Sequence, residues 1–150
     1  MNLIILGNLQ NAIDATLLKI YLDDKENIEY QSPRSWHCND KVMIAYSQKE
    51  GTLWVEDHGT GMNENELSNY LFKTANSGYK YMKKREFMFP AIAKFGIGFV
   101  ACLTKADKIQ ILTRTQSDNG INAEIESKST IAFIEKNIQR AWQGTTVILH

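Results

Sequence analysis

Four short stretches place residues capable of ligand chemistry at spacings a plain fold does not require. Asp57-His58-Gly59-Thr60-Gly61-Met62 stands where a strand pattern ends and a helix pattern is about to begin. A carboxylate at a strand end accepts from an exocyclic amine such as the adenine 6-amino group, and glycines let backbone approach a flat ring closely. Gly96-Ile97-Gly98-Phe99 opens a helical pattern, where N–H groups outside the helical ladder and the positive end of the dipole suit phosphates. Gly144-Thr145-Thr146 begins the last strand pattern, and its hydroxyls are able to bond the same base or a bridging water. Asn11 and Asp14 lie three residues apart in a helical pattern and so share a face. Taken singly, these stretches also read as a turn, a helix start, the start of a strand and a capping or surface Asn. Their occurrence together, in this order, points to a nucleotide site.

The elements that must position these residues follow from periodicity. Leu9, Ile13, Leu17, Ile20 and Tyr21 recur at helical spacing, which predicts a helix from about Leu3 to Leu22 with that stripe against a core. Residues 23–40 are polar, contain Pro33 and hold no period, so they read as a loop. The runs KVMIAYS and TLWVED, separated by Gln48-Lys49-Glu50-Gly51, predict an antiparallel hairpin. Asn63 is placed to cap a helix through ENELSNYLFKTA, with Glu64 and Glu66 in its first turn, where the dipole favours anions. Residues 76–99 are glycine-bounded, basic in the middle and broken by Pro90, which predicts a mobile loop with a short helical piece. FVACLTKA reads as helical, and KIQILTRT, INAEIES, TIAFIEK and GTTVILH read as strands. The expected class is α+β, a two-layer α/β sandwich with a mixed, mostly antiparallel sheet covered by helices on one face.

Composition narrows the functions. The chain has 150 residues, enough for one core without disulfides or metals. Its 17 basic and 17 acidic residues balance, so no basic field holds it to nucleic acid or membrane. Two cysteines, Cys38 and Cys102, in a chain of this size favour a reducing compartment, and the cytoplasm is the default. No run of about 18 apolar residues marks a membrane span, and Met1 to Ile5 is too short and uncharged for a signal peptide. His37 and Cys38 are adjacent but lack further ligands at zinc spacing. Lys80, Lys83, Lys84 and Arg85 read as a solvated basic face, with a phosphate contact as the alternative. His58, at a variable position of its motif, is expected to be exposed, and Trp36, Trp54 and Trp142 are expected to pack rather than stack on bases.

Four stretches, NLQNAIDA, VEDHGTGMNENELSNYLFKTANSGYK, KFGIGFVACLTKADKIQILTRT and GTTVILH, carry a resemblance that runs from residue 8 to residue 150. The chain resembles the GHKL ATPases, which share the Bergerat nucleotide-binding fold and include DNA gyrase B, heat shock protein 90, histidine kinases and MutL. Its nearest likeness is to the heat shock protein 90 branch. A histidine kinase would instead show a different second glycine box and a phosphoacceptor His region, so a phosphotransfer domain is the weaker alternative. The resemblance implies ATP or ADP held with Mg²⁺ between the sheet, its helices and a lid, and a chaperone role with protein clients or further domains as partners.

Carried over by position, the resemblance makes Asn11 the Mg²⁺ ligand and puts Asp14 at the pocket edge, holding water or a lid residue. Asp57 would bind the adenine amine, with Gly59 and Gly61 giving the ring room and Met62 packing on it, although Met62 equally reads as core. Asn76, Ser77 and Gly78 would start the lid, Gly96, Ile97, Gly98 and Phe99 would end it over the phosphates, and Thr145 would complete the adenine end. One position departs from the pattern. The Glu that activates the attacking water in the gyrase and chaperone branches lies four residues before the Asn, and here that position is Gly7. No catalytic residue is therefore assigned, and slow or assisted hydrolysis is expected, since a general base contributes about 10²–10⁴-fold. A degenerate interaction module without nucleotide chemistry is the rival reading. Residues 1–150 are expected to form a single ATP-binding domain, trimmed at its N-terminus relative to the chaperone branch, that is either a fragment of a longer protein or a module working through partners.

Overall fold

The computed structural model describes residues 2–26, 41–72, 102, 105–126 and 132–150. Its elements are α1 (Asn2–Glu26), β1 (Val42–Ser47), β2 (Thr52–Asp57), α2 (Glu64–Phe72), β3 (Lys108–Arg114), β4 (Gly120–Glu126), β5 (Ala132–Ile138) and β6 (Gly144–Leu149). The six strands form one sheet in the order β1-β2-β6-β3-β4-β5. Every neighbouring pair is antiparallel, so the α+β architecture stands and the expected mixture of directions resolves to a uniformly antiparallel sheet among the described residues. Each of the six strand runs that the sequence pattern predicts is present as β1 to β6, β5 included.

Strand register sorts the side chains into rows. Ile44, Val55, Val147, Ile111, Ala123 and Ile134 stand side by side across the sheet, and Tyr46, Leu53, Leu149, Ile109, Ile125 and Ala132 form a second row on the same face. The central members of these rows join Leu67 of α2 and Cys102 in the core cluster. Leu67, Ile109 and Ile111 are fully buried, each contributing about 1.5–3 kcal/mol by leaving water. A third row on this face is different: Val42, Asp57, Thr145, Thr113 and Ile121. Its three middle members are polar and buried.

The helix α1 covers the sheet by a stripe offset from the predicted one, which shares Ile20 with it. Leu9, Ile13 and Leu17 are only half-buried and Tyr21 is 43% exposed, whereas Asn8, Ala12, Thr16 and Ile20 are buried. Close approach is the physical reason. Ala15 lies against Gly59, where any Cβ would fall 2.6 Å from the Ala15 carbonyl carbon, so small side chains must face the loop after β2. Thr16 satisfies its hydroxyl by donating to the Ala12 carbonyl at 2.9 Å, which lets a polar residue sit in that seam. The helix also continues to Glu26, past the predicted end near Leu22.

Local signals at α2 act as expected. Glu66 N donates to Asn63 Oδ1 at 2.9 Å and Asn63 N donates to Glu66 Oε2 at 3.1 Å, a reciprocal capping box. No helix among the described residues is long and apolar enough to cross a membrane.

Candidate functional site

The polar row is the heart of the site because three strands meet there. Asp57 ends β2, Thr145 is the second residue of β6 and Thr113 the penultimate residue of β3, and the register sets them abreast. Asp57 Oδ1 accepts from Thr145 N at 3.2 Å and from Gly59 N at 2.9 Å. Both bonds fall on the same oxygen, and no donor among the described residues reaches Oδ2. Burial pushes the Asp57 carboxyl up to about 7, against the two N–H donors and the Arg140 guanidinium, which pull it down; Glu56 adds to the rise. A buried acid with one unengaged oxygen is suited to receive a donor from a ligand.

Thr113 ties the row to the glycine loop. Its Oγ1 accepts from Met62 N at 2.9 Å and lies 3.0 Å from Thr145 Oγ1 and 3.3 Å from the Gly144 carbonyl, to which it donates. One hydroxyl thus fixes the backbone after Gly61, the start of β6 and the Thr145 side chain. Gln143 Nε2 donates to the Thr60 carbonyl at 3.0 Å and Lys19 Nζ to the His58 carbonyl at 3.2 Å, so the turn before β6 and α1 hold the loop after β2 from two sides.

The glycines are needed for chain packing. Gly61 has φ +66°, and a Cβ there would run into the Arg114 carbonyl oxygen; Gly144 has φ +130°, and a Cβ would meet the Asp57 carbonyl oxygen. Both conformations lie where only glycine is unstrained. Gly61 therefore has an intramolecular reason to be glycine, beyond the room it leaves for a ring. Met62 is half-buried and packs against the core cluster, which favours its reading as core. His58, expected to be exposed, is half-buried: its ring lies 6.1 Å from the Trp142 ring, with Nδ1 3.4 Å from the Lys41 carbonyl. Thr146, on the opposite face of β6, donates to Glu56 Oε2 at 2.8 Å and so is separated from the Asp57 row.

On α1, Gly7 and Asn11 are half-buried, Asn8 and Asp14 are buried. Asn8 Nδ2 donates to Cys102 Sγ at 3.0 Å, joining the first helix to the chain 94 residues on; burial holds the Cys102 thiol above its ordinary range. Asn76, Ser77, Gly78, Gly96, Ile97, Gly98 and Phe99 lie outside the described residues, as do Trp36, His37, Cys38 and the basic residues 80–85.

Sequence reasoning missed Thr113, Lys19, Gln143 and Arg140. Thr113 had a signal: it follows Ile109 and Ile111 at strand period, a polar residue on an inward face. Lys19, Gln143 and Arg140 had none, because long polar side chains in a helix or a turn carry no periodic mark.

A polar row at the end of an antiparallel sheet, bordered by a helix bearing Asn and Asp and by a glycine loop, is the candidate site of a domain of the GHKL class. The profile of the family described as "Histidine kinase-, DNA gyrase B-, and HSP90-like ATPase" matches residues 1–144, and the chain belongs to that family. Among curated relatives it is similar to the chaperone protein HtpG of Oceanobacillus iheyensis, 29% identical over 149 residues that cover 97% of this chain and 23% of that protein. It is likewise similar to HtpG of Coxiella burnetii, 29% identical over 85% of this chain and 22% of that protein, and to HtpG of Salmonella typhi, 32% identical over 73% and 19%. The chain therefore spans under a quarter of the length of these relatives.

Proposed function

We propose that this domain binds ATP and ADP with Mg²⁺ in the manner of the HtpG chaperones and hydrolyses ATP slowly or with help from elements outside the chain. The observation that carries the reading is the Asp57 carboxylate, buried, anchored through Oδ1 alone and flanked by Thr145 and Thr113. Its Oδ2 would accept from the adenine 6-amino group, and the Thr145 hydroxyl would complete that end of the base. Asn76 to Gly78 and Gly96 to Phe99 would bound a lid over the phosphates, an assignment that rests on the sequence motifs.

The donor set fits magnesium. Mg²⁺ takes hard oxygen ligands, keeps several waters and leans on substrate phosphates. Asn11 supplies an amide oxygen and Asp14 a carboxylate one turn along the same helix. The described residues hold no cluster of three or more His, Cys, Asp or Glu side chains, so the ion would come with the nucleotide, where it neutralises phosphate charge. Asn11 would hold it and Asp14 would border it.

Slow turnover is supported by Gly7, which stands in α1 one turn before Asn11 and brings no acid to that position. Clients and partner domains would follow from the HtpG likeness. Isothermal titration tests the proposal: Mg·ADP binds wild type at sub-millimolar concentration, and Asp57→Asn weakens it at least about 100-fold, the scale on which losing a charged acceptor counts. No binding at millimolar nucleotide would overturn it. Gly7→Glu is expected to raise turnover by about 10²-fold with affinity unchanged; fast turnover in wild type would refute the slow-hydrolysis part.

A further inference from the structure

We propose that the outer edge of β1 is a self-association site, where a second copy of this chain adds its own β1 antiparallel and the two sheets become one across a two-fold axis at Ile44. β1 stands at the end of the sheet, and no described residue pairs with its outer side. An unpaired edge presents alternate N–H and C=O groups, and another strand is the partner whose chemistry satisfies them.

The two ends of the sheet are built differently. β5 carries Glu135 and Lys136, both exposed, and Lys136 Nζ lies 2.7 Å from Glu64 Oε1 of α2. Its ladder with β4 is interrupted at Gly120/Ile121, where Asn137 is the extra residue, at φ 60°. Charges and a bulge are devices that keep an edge from pairing. β1 has neither. VMIAYS holds no charge, proline or glycine, and its register with β2 runs unbroken from Val42 to Ser47. Met43 is 53% exposed, Ile44 43% and Tyr46 66%, so apolar side chains on both faces of the strand stand in water beside the open backbone.

The occupant follows from self-complementarity. Two antiparallel copies of a strand keep their faces aligned when the two-fold axis passes between two copies of the same residue. Placed at Ile44, that axis sets Ile44 opposite its copy, Met43 opposite Ala45, and Val42 opposite Tyr46, an aromatic–β-branched pair made twice. Lys41 falls opposite Ser47, so no like charges meet. Moved to Ala45, the axis would set Lys41 against Lys49 in both halves, which disfavours that register. With 17 basic and 17 acidic residues, two copies approach without net repulsion. The match is isologous, so one surface serves both protomers and association stops at the dimer. Six residues a side make a small contact, of the size of transient interfaces, for which a dissociation constant of about 10⁻⁴ M is expected.

Sedimentation velocity on the 150-residue chain without nucleotide, from about 10 µM to about 1 mM, tests the proposal. The weight-average sedimentation coefficient is expected to rise from monomer towards dimer across that range. Ile44→Lys, at an exposed position, sets two ammonium groups face to face and weakens association at least about tenfold; Ile44→Glu does the same with two carboxylates. An equimolar mixture of the two variants regains association, because Lys then faces Glu, a recovery that misfolded variants would not give. Phe133→Lys, on the opposite edge of the sheet, leaves association unchanged. A monomer at every concentration overturns the proposal. Hydrogen exchange then tells whether the chain's own residues cover the edge, with all β1 amides protected, or a different partner must, with alternate ones open. The proposal is overturned equally by association that survives Ile44→Lys, that is lost with Phe133→Lys, or that the mixture fails to restore. Because the readout needs no nucleotide, failure of ADP binding leaves this result standing.

Discussion

Asp57 and Arg140 lie at the same end of the sheet, and their buried charge is managed in opposite ways. The carboxylate is served by its own fold: two backbone N–H groups converge on one oxygen and a neighbouring row of hydroxyls stiffens the loop around it. The guanidinium has a ring against its face and no acceptor for two of its nitrogens. The carboxylate is thus a built acceptor, costly to keep charged, and the guanidinium a donor still lacking a partner. Local backbone geometry can satisfy an acceptor cheaply because N–H groups are everywhere in a turn; a cation needs an oxygen from elsewhere.

Breaking the loop that serves Asp57 is expected to have the largest effect. Gly61→Ala forces a side chain into the Arg114 carbonyl at a left-handed φ, for a loss of about 3–5 kcal/mol from strain and overpacking combined, read as a fall in the urea midpoint. Gly51→Ala is the control. It too has φ +65°, but nothing lies within 4 Å of its Cβ, so it should cost only about 1 kcal/mol.

The charge of Asp57 itself gives the next effect. Its carboxyl titrates near 7 in the folded chain against an ordinary value of 3.8, so between those pH values the native state keeps a proton the unfolded state has lost. Stability in the absence of nucleotide should therefore fall as pH rises from about 4 to 7, by up to about 1.4 kcal/mol per pH unit, and level off above. Asp57→Asn should flatten that slope in urea unfolding at pH 5, 6 and 8. An unchanged slope would show that Asp57 is as well served when charged as when neutral, and would erase the contrast with Arg140.

Thr113→Val sharpens the comparison from the side of the hydroxyl row. It keeps the shape of the side chain and strands the Met62 N–H and the Thr145 hydroxyl, which should cost about 1–3 kcal/mol. Thr113→Ser should recover most of the loss and the Met62 amide shift.

What the sequence made legible follows the same division. Asp57, Gly59 and Thr145 were readable because a motif keeps them close in the chain or at a strand start, and Asn63 because capping is local. The hydrophobic stripe of α1 misled, since the seam against Gly59 selects small residues rather than large apolar ones, and Ala12, Ala15 and Thr16 announce nothing by themselves. Thr113 became visible only through the register that sets it beside Thr145, 32 residues away. Arg140 was illegible for a plainer reason: its setting depends on the Trp142 ring and on the charges of Glu56 and Asp57, which are more than 80 residues away in the chain, and no spacing encodes that.

The position of β6 has a consequence for how such a domain is made. It follows the other described strands in sequence yet stands between β2 and β3, so among the described residues the β1–β2 hairpin and the β3–β4–β5 meander have no shared ladder until residues 144–149 arrive. During synthesis both pieces wait with an open inner edge, and the row Asp57-Thr145-Thr113 comes into being in the step that closes the sheet. Docking of β6 and assembly of the polar row are one event.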